Sequence, residues 1–244
     1  MDNFFEKPNL PDRKAYLFII SDRKEQYASA VRKLTGAKVL TTAPVKGIDG
    51  EEKYHADMSI IHIGGNLFLS DKDNIILNNV LADRGAEVHS CTGITASRPL
   101  LNAFVLGQKM ICCRKTVSDR LLCYCRDNNI SILHTNQMYS KCSAAIVSDN
   151  ALITSDESIY RLCIQNGIDA LKISAGHIRL DGYDYGFIGG CCGRISPDTI
   201  VFCGELEKHP DSDNIKGFLL NYGIYALSLT AGELYDIGGI LPIA

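Results

Sequence analysis

No stretch of this sequence approaches the roughly 18 consecutive apolar residues that a membrane-spanning helix needs. The longest candidates, such as Ala15 to Ile20, are strand-sized, so a bilayer span is excluded. The opening segment, Met1 to Arg13, is polar and punctuated by proline, without a basic start followed by an apolar run. Neither a secretory signal nor a transit peptide is expected, which puts the protein in the cytoplasm and away from membranes. Lysine and arginine runs are missing too, and the net charge is −3, so nothing draws the chain as a whole toward phosphate backbones. Nucleic acid is not an expected partner. The ten cysteines include no Cys-x-x-Cys pair. Their spacing does not favour a tetrahedral zinc site, and without an export signal they read as reduced, mostly buried thiols with no disulfide. No metal site and no cofactor is expected.

What is present is enough apolar material, 46% of 244 residues, to bury a substantial core in one domain spanning 1–244. A stop signal recurs along it. Helix-like segments end at Gly36, Gly85, Asn129, Gly167 and Gly223, and each is followed by a β-type run: Ala37 to Leu40, Ala86 to His89, Ile130 to Leu133, Ile168 to Ile173 and Ile224 to Leu229. Glycine, and less often asparagine, tolerates the left-handed conformation that ends a helix.

Two short β-type runs separated by a turn signal precede most of these helices. In the fourth unit Ala144 to Val147 and Ala151 to Thr154 flank Ser148-Asp149-Asn150, and Thr154-Ser155-Asp156-Glu157 has capping-box spacing. The second unit has Met58 to Ile63 and Leu67 to Leu69 around Gly64-Gly65-Asn66, with Ser70 or Asp71 available as cap. The third has Asn102 to Leu106 and Lys109 to Cys113. In the fifth, Tyr185 to Ile188 and Thr199 to Cys203 bracket an insertion, Gly189 to Asp198. The first unit has only Ala15 to Ile20 before its helix. The β-like tail Gly238 to Ile243 can supply its missing partner and leave no exposed strand edge there. The pattern predicts an α/β fold, a five-bladed propeller of strand-strand-helix-strand units around a pseudo-fivefold axis, closed by the C-terminal strand. An open α/β sandwich, with glycines recurring only as helix caps, is the competing reading.

The tail Glu233-Leu234-Tyr235-Asp236-Ile237-Gly238-Gly239-Ile240-Leu241-Pro242-Ile243 resembles the closing segment of dimethylarginine hydrolases, and His177-Ile178-Arg179-Leu180 resembles the stretch that carries their catalytic histidine. With the five-unit pattern, the chain resembles the pentein superfamily, the guanidino-group-modifying enzyme fold, and within it a bacterial branch. The superfamily includes arginine deiminases, dimethylarginine dimethylaminohydrolases and amidinotransferases. The resemblance implies a cysteine shortly after the closing Gly-Gly that attacks a guanidinium carbon, with a histidine moving protons and carboxylates holding the nitrogens. Here Pro242 or Ile243 fills that position and no cysteine follows Cys203, so the family route cannot simply be transferred.

In such a ring the starts of the first strands should line a polar pore, the expected site for a small polar metabolite. His55 and Asp57 share one side of a strand and are catalytic candidates, or else solvated loop residues. His177 is a third catalytic candidate, or a satisfied histidine at a strand start. Cys142 is a candidate nucleophile whose thiol pKa the neighbouring Lys141 would lower, or a buried packing residue. Asp181 and Asp184 could clamp a guanidinium, or simply flank a turn at Gly182. Arg13, Arg98, Lys141 and Arg179 are further ligand-binding candidates, and Arg98, Lys141 and Arg179 would instead favour carboxylate or phosphate. Gly189-Gly190-Cys191-Cys192-Gly193 lacks the ending of a phosphate loop and reads as a flexible turn. Three functions stay open: a guanidino- or amidino-compound hydrolase, a non-catalytic small-molecule binder, and an interaction protein. A homo-oligomer is compatible with each.

Overall fold

The computed structural model describes residues 2–244. The chain opens with β1 (Leu17–Ser21), α1 (Glu25–Thr35) and β2 (Lys38–Thr42). The second group is a one-turn helix α2 (Ala56–Ser59), β3 (Ile60–Gly64), β4 (Leu67–Asp71), α3 (Ile75–Asp83) and β5 (Glu87–Cys91). The third is β6 (Phe104–Leu106), β7 (Lys109–Cys112), α4 (Asp119–Asp127) and β8 (Ser131–His134). The fourth is β9 (Ala144–Ser148), β10 (Ala151–Thr154), α5 (Glu157–Gln165) and β11 (Asp169–Lys172). The fifth is β12 (Cys192–Ser196), β13 (Thr199–Phe202), α6 (Ser212–Asn221) and β14 (Tyr225–Ser228), followed by the short β15 (Leu241–Pro242).

These strands form five three-stranded sheets, ordered β15-β1-β2, β3-β4-β5, β6-β7-β8, β9-β10-β11 and β12-β13-β14. Each middle strand has one antiparallel and one parallel partner. The parallel step needs a crossover, and a helix supplies it every time. The arrangement is consistent with five repeated units. The first sheet completes itself with the far end of the chain, since Phe18 pairs with Pro242 and Ile19 with Leu241. The predicted tail-to-β1 pairing is therefore present. So are the helix stops: Gly36, Gly85, Asn129, Gly167 and Gly223 all adopt positive φ.

The two-residue period of a strand explains how the sheets pack. Alternate side chains of a middle strand enter different apolar clusters. Phe18 and Ile20 of β1 pack with Ile153 and Phe202, whereas Leu17 and Ile19 pack with Ile60, Phe68 and Ile243. Phe68 of β4 joins that second cluster, and Leu69 joins Met110 and Leu121. Ile111 of β7 packs against Ile146 and Leu152 of the fourth group. Consecutive groups are thus joined through shared cores, and β1 is buried along its whole length between two of them. Strands covered on both faces read as continuous apolar runs, which is why LFIIS shows no alternation. No helix among the described residues is long and apolar enough to cross a membrane.

Several local expectations are corrected. The first strand of the fifth unit is Cys192–Ser196, not Tyr185 to Ile188; the latter forms a loop, and the turn before β13 is Pro197-Asp198. Gly189 to Cys191 is a buried connection rather than a flexible turn. Met58 and Ser59 belong to the helical turn α2, so the strand begins two residues later. The cap of α5 is Asp156, which accepts from the Ile159 N–H at 2.9 Å, while Glu157 pairs with Arg161 and Lys172. The residue flanking α3 is Asn74 rather than Ser70 or Asp71.

Candidate functional site

The segment Glu51–Tyr54 makes one tight helical turn, and α2 follows after the extended residue His55. This double turn carries Glu52, His55 and Asp57 into the interior, just ahead of β3. The closing loop Asp236 to Gly239 lies against them. The Asp57 N–H donates to the Gly238 carbonyl at 3.2 Å. Gly238 has φ +77°, and a Cβ there would lie 2.3 Å from the His55 Cβ, so only glycine lets the loop rest on the imidazole. Gly190 plays the same part behind the loop, where an added Cβ would fall 1.9 Å from Asp236 Oδ1.

His55, Asp57, Cys142 and Asp236 are at most 3% exposed. The Cys142 thiol donates to Asp57 Oδ2 at 2.9 Å and accepts from Asn102 Nδ2 at 3.1 Å. Asn102 Oδ1 in turn accepts from the Lys141 and Cys142 N–H groups at 2.8 and 3.3 Å, which fixes the start of the fourth group against the third. Asp236 accepts from the Phe187 and Gly238 N–H groups at 2.8 and 3.0 Å, and its Oδ1 lies 3.6 Å from His55 Nδ1. Both ring nitrogens of His55, and Asp57 Oδ1, have no hydrogen-bond partner.

Burial raises the Asp57 carboxyl to about 6, although the charges of His55 and Lys141 pull the other way. Burial also pushes the Cys142 thiol well above its ordinary value, reinforced by the carboxylates of Asp57 and Asp236. The expectation that Lys141 would lower the pKa of this thiol is therefore corrected. The lysine Nζ reaches instead toward the Gly189 carbonyl at 3.4 Å. The resting sulfur is a protonated, hydrogen-bonded thiol.

Above this cluster opens a cavity of about 310 Å³. His55, Cys142 and Asp236 line it together with the carboxylates of Glu52 and Asp184. Its remaining wall is mostly aromatic: Tyr139, Tyr183, Tyr185 and Phe187, with Leu180. The Tyr183 hydroxyl donates to Glu52 Oε2, and the Tyr139 hydroxyl to the Ala96 carbonyl at 2.8 Å. Burial, with Glu52 and Cys142 nearby, raises the Tyr139 phenol to about 12, so it stays a neutral donor. A small space walled by carboxylates and π faces suits a planar cation, because both kinds of group attract positive charge.

Of the residues singled out in the sequence, His55, Asp57, Lys141 and Cys142 converge, and Asp184 stands at the cavity wall. The others lie elsewhere. His177 is exposed and packs edge-on to His209 at 5.5 Å, in an adjoining surface groove with Arg179 that shares Leu180, Tyr183 and Asp184 with the cavity wall. Arg179 pairs with Asp181 at 2.9 Å on that surface. Arg13 lies over the Phe5 ring and bonds Asp12, and Arg98 is exposed in a small loop bridge to Thr95. These five do not share the cavity, so the positive alternative loses most of its charges there. Sequence reasoning passed over Glu52, Asn102, Asp236 and the aromatic loop Tyr183 to Phe187. The one signal in the sequence is that loop's aromatic density beside Asp184, in a stretch whose composition reads as a turn and a strand.

A family model described as a family of unknown function, DUF6873, matches residues 19–241. No curated protein matches the chain by sequence. Solved structures do resemble it. SxtG, an amidinotransferase from Microseira wollei in the saxitoxin biosynthetic pathway, has a TM-score of 0.59 at 9% identity, with 99% of this chain and 96% of that one covered. Agmatine deiminase from C. jejuni has 0.57 at 11%, covering 91% and 89%. DDAH from Pseudomonas aeruginosa, complexed with citrulline, has 0.56 at 8%, covering 88% and 92%. At such identities the likeness concerns the fold alone.

Proposed function

The chain belongs to the family of unknown function DUF6873 and has the pentein fold, and from that premise we propose that its cavity binds a small cationic metabolite with a guanidino or amidino head. One observation carries the proposal: three carboxylates and four aromatic rings line a single cavity of about 310 Å³. That volume is near the lower end for small-ligand sites, which matches a compact head group. In this view the five sheets are blades of one propeller domain, 1–244, acting in the cytoplasm, and the cavity opens at its hub. The names of the structural neighbours, an amidinotransferase and an agmatine deiminase among them, lend support by analogy.

A thermal-shift panel tests the idea, because a ligand selective for the folded state raises its apparent stability. Guanidino and amidino compounds such as agmatine should stabilise the protein at concentrations where carboxylates and phosphates do not. Stabilisation by the anions alone would overturn it.

A second reading, hydrolysis of the bound head group, is favoured by the thiol of Cys142 and the imidazole of His55 lining the same cavity. There the sulfur would bond the amidino carbon, a C–N bond would break with the amine leaving protonated, and water would then release the sulfur. Amine release from agmatine, arginine or methylated arginine, abolished in Cys142→Ser, is the expected result of that reading. Tight binding without turnover would leave a non-catalytic binder.

A further inference from the structure

The geometry points to a single transition-metal site at the cavity floor, formed by His55, Asp57 and Cys142 and suited to Zn²⁺. One nitrogen, one carboxylate oxygen and one sulfur from these side chains all lie within 4.8 Å of one another. They are the one such trio found among the described residues. His55 and Asp57 are two residues apart, but Cys142 comes from the fourth group, so no spacing in the sequence announced the trio.

An independent observation points to a ligand. Both ring nitrogens of His55 and the Oδ1 of Asp57 are buried and unpartnered. A buried polar atom left unpaired is costly, and a ring nitrogen and a carboxylate oxygen left so in one cluster ask for a common partner. A bound ion would take one of these nitrogens and the Asp57 oxygen at once. Typical zinc bond lengths of about 2.0–2.3 Å put tetrahedral donors roughly 3.3–3.7 Å apart, so the trio must close in by about 1 Å.

The surroundings supply the support that metal ligands need. Asp236 is fixed by two backbone N–H groups and faces His55 Nδ1 at 3.6 Å, which leaves Nε2 to bind. Asn102 holds the Cys142 sulfur in place at 3.1 Å. A divalent ion would displace the Cys142 proton and offset the charges of the resulting thiolate and of Asp57. A sulfur, nitrogen and oxygen set suits a borderline-soft ion such as Zn²⁺ rather than Mg²⁺ or Ca²⁺. His55 and Cys142 line the cavity, so a fourth coordination position would face it and take water or a ligand atom.

With Cys142 on the metal, its sulfur is no longer the free thiol that the hydrolysis reading uses, so the two readings assign it different states. Cation binding by Glu52, Asp184 and the rings stands under either outcome. Cobalt(II) added to the reduced, metal-stripped full chain is the probe. One equivalent should produce a thiolate-to-cobalt charge-transfer band with intense visible bands of a tetrahedral ion, and Zn²⁺ should bleach both. Cys142→Ser should lose the charge-transfer band, whereas Cys123→Ser, at an exposed cysteine, should keep it. A folded wild-type protein with no such band, or a band unchanged in Cys142→Ser, overturns the site. If Cys142→Ser does not fold, Asp57→Asn decides: cobalt affinity should fall at least tenfold, and unchanged affinity overturns the assignment.

Discussion

Replacing Glu52 by glutamine removes one charge from the cavity wall while keeping the shape of the side chain. Glu52 Oε2 already accepts the Tyr183 hydroxyl, and a glutamine carbonyl can do the same, so the unliganded protein should keep its stability. What is lost is a charge-assisted contact to a bound cation through the other oxygen. Coulomb's law at about 4 Å with an effective dielectric near 20 gives roughly 4 kcal/mol as a ceiling. Desolvation of both partners brings the net value of such a contact to about 1.5–3 kcal/mol. Because one carboxylate oxygen is already engaged, the lower half of that range applies, an affinity loss of about tenfold to fiftyfold. Calorimetric titration of agmatine into wild-type and Glu52→Gln protein at neutral pH measures it. Equal affinities, with both proteins folded, would refute the reasoning that the carboxylates select the ligand's charge.

Other outcomes follow from the same geometry. His62 is buried, stacks on Phe68 at 4.4 Å and bonds the Gly65 carbonyl at 2.8 Å, and burial lowers its pKa to about 4. The unfolded chain takes up a proton near pH 6.5 that the folded chain refuses until about 4, so stability falls as pH drops through that window. The loss should reach about 2 kcal/mol at pH 5 by denaturant titration and shrink in His62→Gln; an equal pH slope in the two proteins would contradict it. Ile243→Ala should cost about 2–4 kcal/mol, since this fully buried side chain packs with Leu17 and Phe68; a neutral effect would mean the tail is not docked on β1. Gly190→Ala, whose Cβ would overlap Asp236, should destabilise by about 1–3 kcal/mol and weaken cation binding, and a wild-type melting curve would show that the loop is not held as described.

The architecture was legible because it rests on local rules. Positive φ at Gly36, Gly85, Asn129, Gly167 and Gly223 is a property of single residues, and it marks every crossover. The unpaired first strand and the extra β-like tail were likewise visible in one dimension, and they pair. The fifth unit misled because Tyr185 to Ile188 has strand-like composition, while the true strand, Cys192–Ser196, contains a glycine and an arginine. There Gly193 is required by contact with Ile240, and Arg194 is buried by bonding the Val147 carbonyl at 2.8 Å; neither long-range cause can be seen locally.

The site divides in the same way. His55 and Asp57 converge as a pair but not by the strand alternation expected of them, since His55 is a single extended residue and Asp57 lies in the helical turn α2; Cys142 stood out beside Lys141 at the start of its unit. Asn102 and Asp236 carry no local signature, because their importance comes only from which distant groups they touch. His177 was drawn in by resemblance, but the loop that carries it runs over the surface beside His209. The charge of the cavity was hidden for a related reason: Arg98 and Arg179 are near site residues in sequence but extend away from the cavity, while Glu52 is turned inward by a single helical turn.

The most direct measurement compares two ligands that differ in little but charge: arginine, with its guanidinium, and citrulline, its neutral ureido counterpart, each titrated calorimetrically into the wild-type protein. The account predicts one-to-one binding of arginine and affinity for citrulline weaker by at least tenfold. Equal binding of the two, or preference for the neutral compound, would contradict it.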